Sequence, residues 1–120
     1  MGNFQKEYGE SILIDTYLNQ SVAEVLRELR EEHQWSYTDL AKRMKNKITR
    51  QTLNNYELGK TKLRMNMFFE LAKVYNLQPK ELYEKINMRY ITKLSQFTNE
   101  IMEKEDAQWK NVKDVTKLYS

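Results

Sequence analysis

ITRQTLNNYELGKTK, residues 48–62, decides how the chain is read. Leu53 and Tyr56 stand three apart and mark one apolar side of a short helix, and Arg50, Gln51, Asn54 and Asn55 lie largely off that side. Hydrogen-bonding and mostly uncharged side chains occupy a face where the rest of this chain carries Glu and Lys. Thr49 stands at the N-cap position and Gly59 at the C-terminal stop. Lys60, Lys62 and Arg64 follow directly. The stretch predicts a helix whose outer face is built for hydrogen bonding, flanked by cations.

The charge pattern singles out the same region. Net charge is +3 over 120 residues, which alone decides little. Residues 36–64, however, hold eight Lys or Arg against Asp39 and Glu57, a net +6. Residues 1–20 and 21–35 are each at −2, and the remainder is near neutral. A basic patch beside amide side chains suits a phosphate backbone and base edges; on charge alone, a solvated surface fits equally well.

Other classes fall away on composition. The absence of cysteine excludes a disulfide framework and a thiolate metal site, and it fits a reducing cytoplasm. The start, MGNFQKEYGESILID, lacks the basic segment and long apolar run of a signal peptide, and no stretch approaches a membrane span. His33 is the one histidine, too few for a metal site, and is read as a surface residue near a helix end. No nucleophile–base constellation, glycine-rich phosphate loop or paired carboxylates stand out. Neither an enzyme nor a cofactor is expected.

One proline and three glycines predict an all-α chain. Ser21 with Glu24 reads as a capping box opening a first helix, whose stripe is Val22, Val25, Leu26 and Leu29, ending near His33. Ser36 with Asp39 opens a second, with Leu40, Ala41 and Met44 buried. After a break at Lys45-Asn46-Lys47, Thr49 opens the third, to about Leu58. Met67, Phe68, Leu71, Ala72 and Tyr75 mark a fourth. Pro79 starts a short fifth with Leu82, Tyr83 and Ile86. Additional helices are expected on both flanks, from Ile12, Leu13, Ile14, Tyr17 and Leu18 at one end. At the other end, the stripes are Ile91, Leu94, Thr98, Ile101 and Met102, then Trp109, Val112, Val115 and Leu118 or Tyr119. The expected organisation is an N-terminal helical extension over 1–20, a five-helix domain over 21–86 and a C-terminal helical extension over 87–120.

Two short helices joined by a turn, the second bearing arginine and amides, follow the helix-turn-helix plan. Residues 22–86 resemble the phage Cro and repressor proteins, the XRE-type regulators. LREEHQWSYTDLAKRM resembles their first helix, turn and second helix, with Leu40-Ala41 at the usual Leu-Ala. ITRQTLNNYELGK is similar to their recognition helix, with its Ser or Thr cap, Arg-Gln-Thr and closing Glu-x-Gly-Lys. FFELAKVYNLQPKELY resembles the fourth and fifth helices. The chain departs from the family at KNK, two residues longer than the usual turn and without its glycine. Asn46 is the candidate to supply a left-handed residue there.

The resemblance implies double-stranded DNA as partner. It sets Arg50, Gln51, Thr52 and Asn55 at base-contacting positions, and Asn54 joins them by periodicity. The chemistry agrees, since Arg pairs bidentately with guanine, and Gln and Asn with adenine. Tyr37 and Thr38, opening the second helix, stand where the family touches a phosphate or base edge; alternatively Tyr37 packs against Trp35. Lys60, Lys62 and Arg64 are expected on phosphates; Lys45 and Lys47 in the turn are weaker candidates for the same contact and are read as solvated. The resemblance also implies an orienting structural ion pair between Arg30 and Glu57.

Two functions compete. One is a transcriptional regulator, of which repression is the commoner form, acting as a homodimer on a pseudo-palindromic operator. The other is an interaction module of antitoxin or antirepressor type, with a regulatory protein or peptide as partner. The flanking apolar stripes suit a dimer contact or such a partner, or the tail folds back over the five-helix core. A Lys-, Asn- and Tyr-rich composition fits an A/T-rich bacterial, phage or plasmid genome.

Overall fold

The computed structural model describes the backbone of residues 2–118 and the side chains of residues 15–107. The described chain is all-α, with helices α1 (Gly2–Glu32), α2 (Tyr37–Arg43), α3 (Arg50–Glu57), α4 (Met65–Val74) and α5 (Pro79–Leu118) in that order. It divides into two compact units, Met1–Tyr90 and Ile91–Ser120.

The first unit is organised around leucines. Leu40 of α2, Leu53 of α3, Leu71 of α4 and Leu82 of α5 are all fully buried. Val25, Leu26 and Leu29 of α1, Met44, Tyr56, Met67, Ala72, Tyr75 and Ile86 complete the cluster, so every helix contributes. Removing one such leucine from water stabilises the fold by about 1.5–3 kcal/mol. α3 packs on both α1 and α2.

Three helices end in the same hydrogen-bonded stop. The N–H groups of Gln34, Gly59 and Asn76 donate to the carbonyls of Glu31, Tyr56 and Lys73. Those of Trp35, Lys60 and Leu77 reach back to Arg30, Asn55 and Ala72. The residue at the bend is left-handed each time, at φ of 56° for Gln34 and Asn76 and 72° for Gly59. α2 ends differently. Its C-cap, Met44, is extended, and Asn46 is not left-handed as the sequence suggested. Asn46 instead donates from its N–H to Glu70 Oε1 (2.9 Å) and from Nδ2 to Oε2 (3.0 Å), which ties the turn to α4.

Two N-caps follow expectation. Ser36 accepts from the Asp39 N–H while Asp39 accepts from the Ser36 N–H at 2.9 Å, a bond that lowers the Asp39 pKa. Thr49 accepts from the Thr52 N–H. The third does not: α1 runs unbroken through Ser21, which is buried and donates to the Tyr17 carbonyl at 2.7 Å. A helical serine satisfied by the preceding turn has no reason to start a helix, and no glycine or proline lies between Gly9 and Glu32. The short fifth helix is likewise part of one longer element, because nothing after Pro79 breaks it and α5 continues to Leu118. The expected extra helices are thus continuations of α1 and α5. Ile12, Leu13 and Ile14, and Trp109, Val112, Val115, Leu118 and Tyr119, lie outside the described side chains.

Within the first unit Arg89 of α5 reaches α1. It donates to Glu28 at 2.7 Å and to Glu24 at 3.2 Å. These groups are a third to a half exposed, so the pairing sets direction more than stability.

Two substitutions should separate packing from backbone strain. Leu82→Ala should lower the unfolding free energy by about 2–5 kcal/mol. Gly59→Ala should cost about 1–2 kcal/mol, from the left-handed backbone alone. A Cβ at position 59 would meet its nearest neighbours, Ala23 Cβ and the Asn19 carbonyl, at an ordinary 3.9 Å. Urea denaturation followed by circular dichroism measures both; equal costs would mean that the loop is too tightly packed against α1 for a methyl group.

Candidate nucleic-acid interface

The site is built on α3. Its capping threonine bonds the Thr52 N–H at 3.1 Å and shares a hydroxyl–hydroxyl contact of 2.8 Å with Thr52. The cap makes Arg50, Gln51 and Thr52 the first turn. Leu53, Tyr56 and Glu57 turn inward and are buried, leaving Arg50 and Gln51 exposed and Thr52, Asn54 and Asn55 half-buried. Gln51 Nε2 donates to Asn55 Oδ1 at 3.1 Å.

An open cleft lies where α2 and α3 both begin. Ser36, Tyr37, Thr38, Thr49, Arg50, Gln51 and Asn54 line it. Five of the side chains singled out for DNA contact therefore meet in one place. Thr52 and Asn55 do not line the cleft, and each has an intrahelical partner. Lys60, Lys62 and Arg64 are exposed on the connection from α3 to α4, also away from the cleft. Arg64 is the N-cap residue of α4, with no capping hydrogen bond from its side chain.

Behind the cleft, α3 is held by charge. Arg30 Nε lies 3.0 Å from Glu57 Oε1 and 2.9 Å from Oε2, and the Glu57 side chain is only 2% exposed. Arg30 Nη1 also donates to the Trp35 carbonyl at 2.9 Å. Its guanidinium sits 4.1 Å from the centre of the Tyr37 ring. The Tyr37 hydroxyl donates to Glu57 Oε1 at 3.3 Å, and its pKa is raised by burial and by that carboxylate. Tyr37 thus belongs to the ion-pair assembly as well as to the cleft wall. Trp35 stacks on Tyr75, with ring centres 5.5 Å apart, and carries Arg43 at 4.2 Å on its ring. Burial raises the Tyr75 phenol pKa, and the nearby Glu57 charge adds to the shift.

Several partners escaped the sequence reading. Arg27 donates to the Glu57 carbonyl at 3.3 Å, at the end of α3. Glu70 holds the turn, and Arg43 covers Trp35. All three interactions except the last join residues more than twenty positions apart, which helical periodicity cannot register. Even Arg43 and Trp35 sit on different elements.

The profile of the helix-turn-helix family matches residues 26–82, from the first helix to the first turns of α5. The chain carries a helix-turn-helix domain of the XRE type. The matched domain supports a DNA-binding helix-turn-helix regulator. In its terms α2 and α3 are the two helices of the motif. No curated protein and no solved structure matches the chain. No described helix is long and apolar enough to cross a membrane.

Breaking the buried pair on one side should cost more than removing both charges. Glu57→Gln is expected to destabilise the domain by about 3 kcal/mol, since it strands a guanidinium. Arg30→Met combined with Glu57→Met should recover a large part of that loss. Denaturation of Arg30→Met, Glu57→Met and the double variant gives the coupling; strictly additive losses would show that the two side chains act independently.

Proposed function

We propose that this protein is a sequence-specific transcriptional repressor of the cytoplasm, which binds a pseudo-palindromic operator as a homodimer. The observation that carries the reading is the convergence of Arg50, Gln51 and Asn54 with Tyr37 and Thr38 on one open cleft at the start of α3. The major groove admits an α-helix and gives each base pair its own donor and acceptor pattern. Arg50, Gln51, Thr52, Asn54 and Asn55 are assigned to base edges. Tyr37, Thr38, Lys60, Lys62 and Arg64 are assigned to flanking phosphates, which fix register without reading sequence. The protein acts by binding and performs no catalysis.

The dimer contact is assigned to the second unit. Ile91 and Met102 of α5 are 49% and 56% exposed, and eleven residues is close to three helical turns, so they share a face. A second copy is the occupant that gives each half-site its own recognition helix, about one turn of DNA apart. A regulatory protein or peptide covering the same face is the alternative.

Selection from a random duplex library, run on the wild type and on Gln51→Ala, tests the readout. The wild type should enrich a symmetric motif, and the variant should lose one position in each half. Weak, salt-sensitive binding without enrichment would indicate attraction to phosphates alone. Light scattering tests the assembly. The full chain should be a dimer, and Ile91→Glu with Met102→Glu should make it a monomer; a double variant that stays dimeric would move the interface off this face.

A further inference from the structure

We infer that the lengthened turn between α2 and α3 is a second phosphate-binding element, in which Lys45 and Lys47 grip the DNA backbone beside the recognition helix. The inference rests on the DNA-binding reading of α3. Sequence alone makes these lysines weaker phosphate candidates than Lys60, Lys62 and Arg64 and favours a solvated role, and three observations argue for the contact.

The turn has a fixed apex. Asn46, between the two lysines, gives both its backbone N–H and its side-chain amide to the Glu70 carboxylate, at 2.9 and 3.0 Å. Bonds to an ionised acceptor are about twice as strong as neutral ones, so both lysines spring from an anchored base. The anchoring also occupies both oxygens of Glu70 with amide hydrogens. Among the described residues no ion pair involves Lys42, Lys45 or Lys47. The positive charge of the turn therefore remains available to an external anion.

Position supplies the third observation. Lys42, Lys45, Lys47 and Arg50 line one concavity on the surface of the motif. Thr38 and Arg50 border both this concavity and the cleft of the proposed readout, so the two adjoin. A duplex presenting base edges to Arg50 and Gln51 brings a phosphate-bearing strand alongside the groove, where a flexible ammonium group is a suitable partner. The two extra residues that distinguish this turn thus widen the footprint on the backbone and leave the reading face unchanged.

Salt dependence tests the inference. Each phosphate contact contributes about 0.9 to the slope of log affinity against log salt. Lys45→Gln with Lys47→Gln should reduce the slope by about 1.8 and leave the selected motif unchanged. Lys80→Gln with Lys85→Gln, which removes the same charge from α5, should leave the slope unaltered. An unaltered slope in the turn variant, or equal reductions in both pairs, would overturn the inference. If the wild type binds duplexes without selectivity, the proposed readout fails while the slopes still report on the turn. If it binds no duplex, both ideas fall. Circular dichroism of each variant verifies that the fold is retained.

Discussion

The placement of α3 depends on a charge that the fold has taken out of water. Glu57 closes α3 and is almost wholly buried, so its carboxylate must be met inside the protein. Arg30 meets it from α1 with one nitrogen shared between both oxygens, and Tyr37 adds a hydroxyl from α2. Arg27 takes the Glu57 carbonyl. One residue therefore couples α3 to both helices against which it packs. Such a pair adds little net stability, because desolvation offsets most of the Coulomb attraction. What it supplies is orientation: a rotated or slipped α3 would strand a carboxylate, at a cost that hydrophobic contacts alone would not impose.

The layers outside the pair follow from the same requirement. Arg30 is itself ordered by the Trp35 carbonyl and by the Tyr37 ring. Trp35 is positioned by Tyr75, which follows α4, and is covered by Arg43 of α2. Ring contacts of this sort contribute about 0.5–1.5 kcal/mol each beyond burial. Midway along α3 the leucine core fixes depth, through Leu53. Charge sets the angle of the helix and apolar packing sets its height.

Local signals were the legible part of the sequence. Ser36 and Thr49 are caps because their hydroxyls need only the next turn, and Gly59 is a stop because a left-handed residue is required there. Leu40, Leu53, Leu71 and Leu82 were readable as core from spacing alone. Ser21 shows the limit of the same logic. Its pattern with Glu24 is that of a cap, yet the hydroxyl bonds backwards to Tyr17 and the helix passes through. Asn46 shows another limit. A turn without glycine suggested a left-handed asparagine, but Glu70, twenty-four residues on, supplies hydrogen-bond partners that make this unnecessary. Arg89 with Glu24 and Glu28 was invisible for the same reason. A contact spanning sixty residues leaves no trace in periodicity.

The outer face of α3 is partly occupied with itself, and magnitudes show whether that matters for readout. Gln51 is bonded to Asn55 one turn on, at 3.1 Å and in solvent. An exposed pair at this spacing stabilises a helix by about 0.2–0.5 kcal/mol. A bidentate amide–adenine contact discriminates against a wrong base by about 1–3 kcal/mol. On the proposed reading the base therefore wins the competition, and the internal bond has a different consequence. It limits the rotamers that Gln51 samples before binding, so less side-chain entropy is lost when DNA arrives. Thr52 stands in the opposite position. Its hydroxyl is engaged by the capping Thr49 and its N–H forms the cap, so diverting it to a base would loosen the start of the helix that carries Arg50 and Gln51. Of the five residues assigned to base edges, Thr52 is the one for which contact and helix integrity are in direct conflict. A Thr methyl group against a thymine methyl resolves that conflict, because it leaves the hydroxyl where it is.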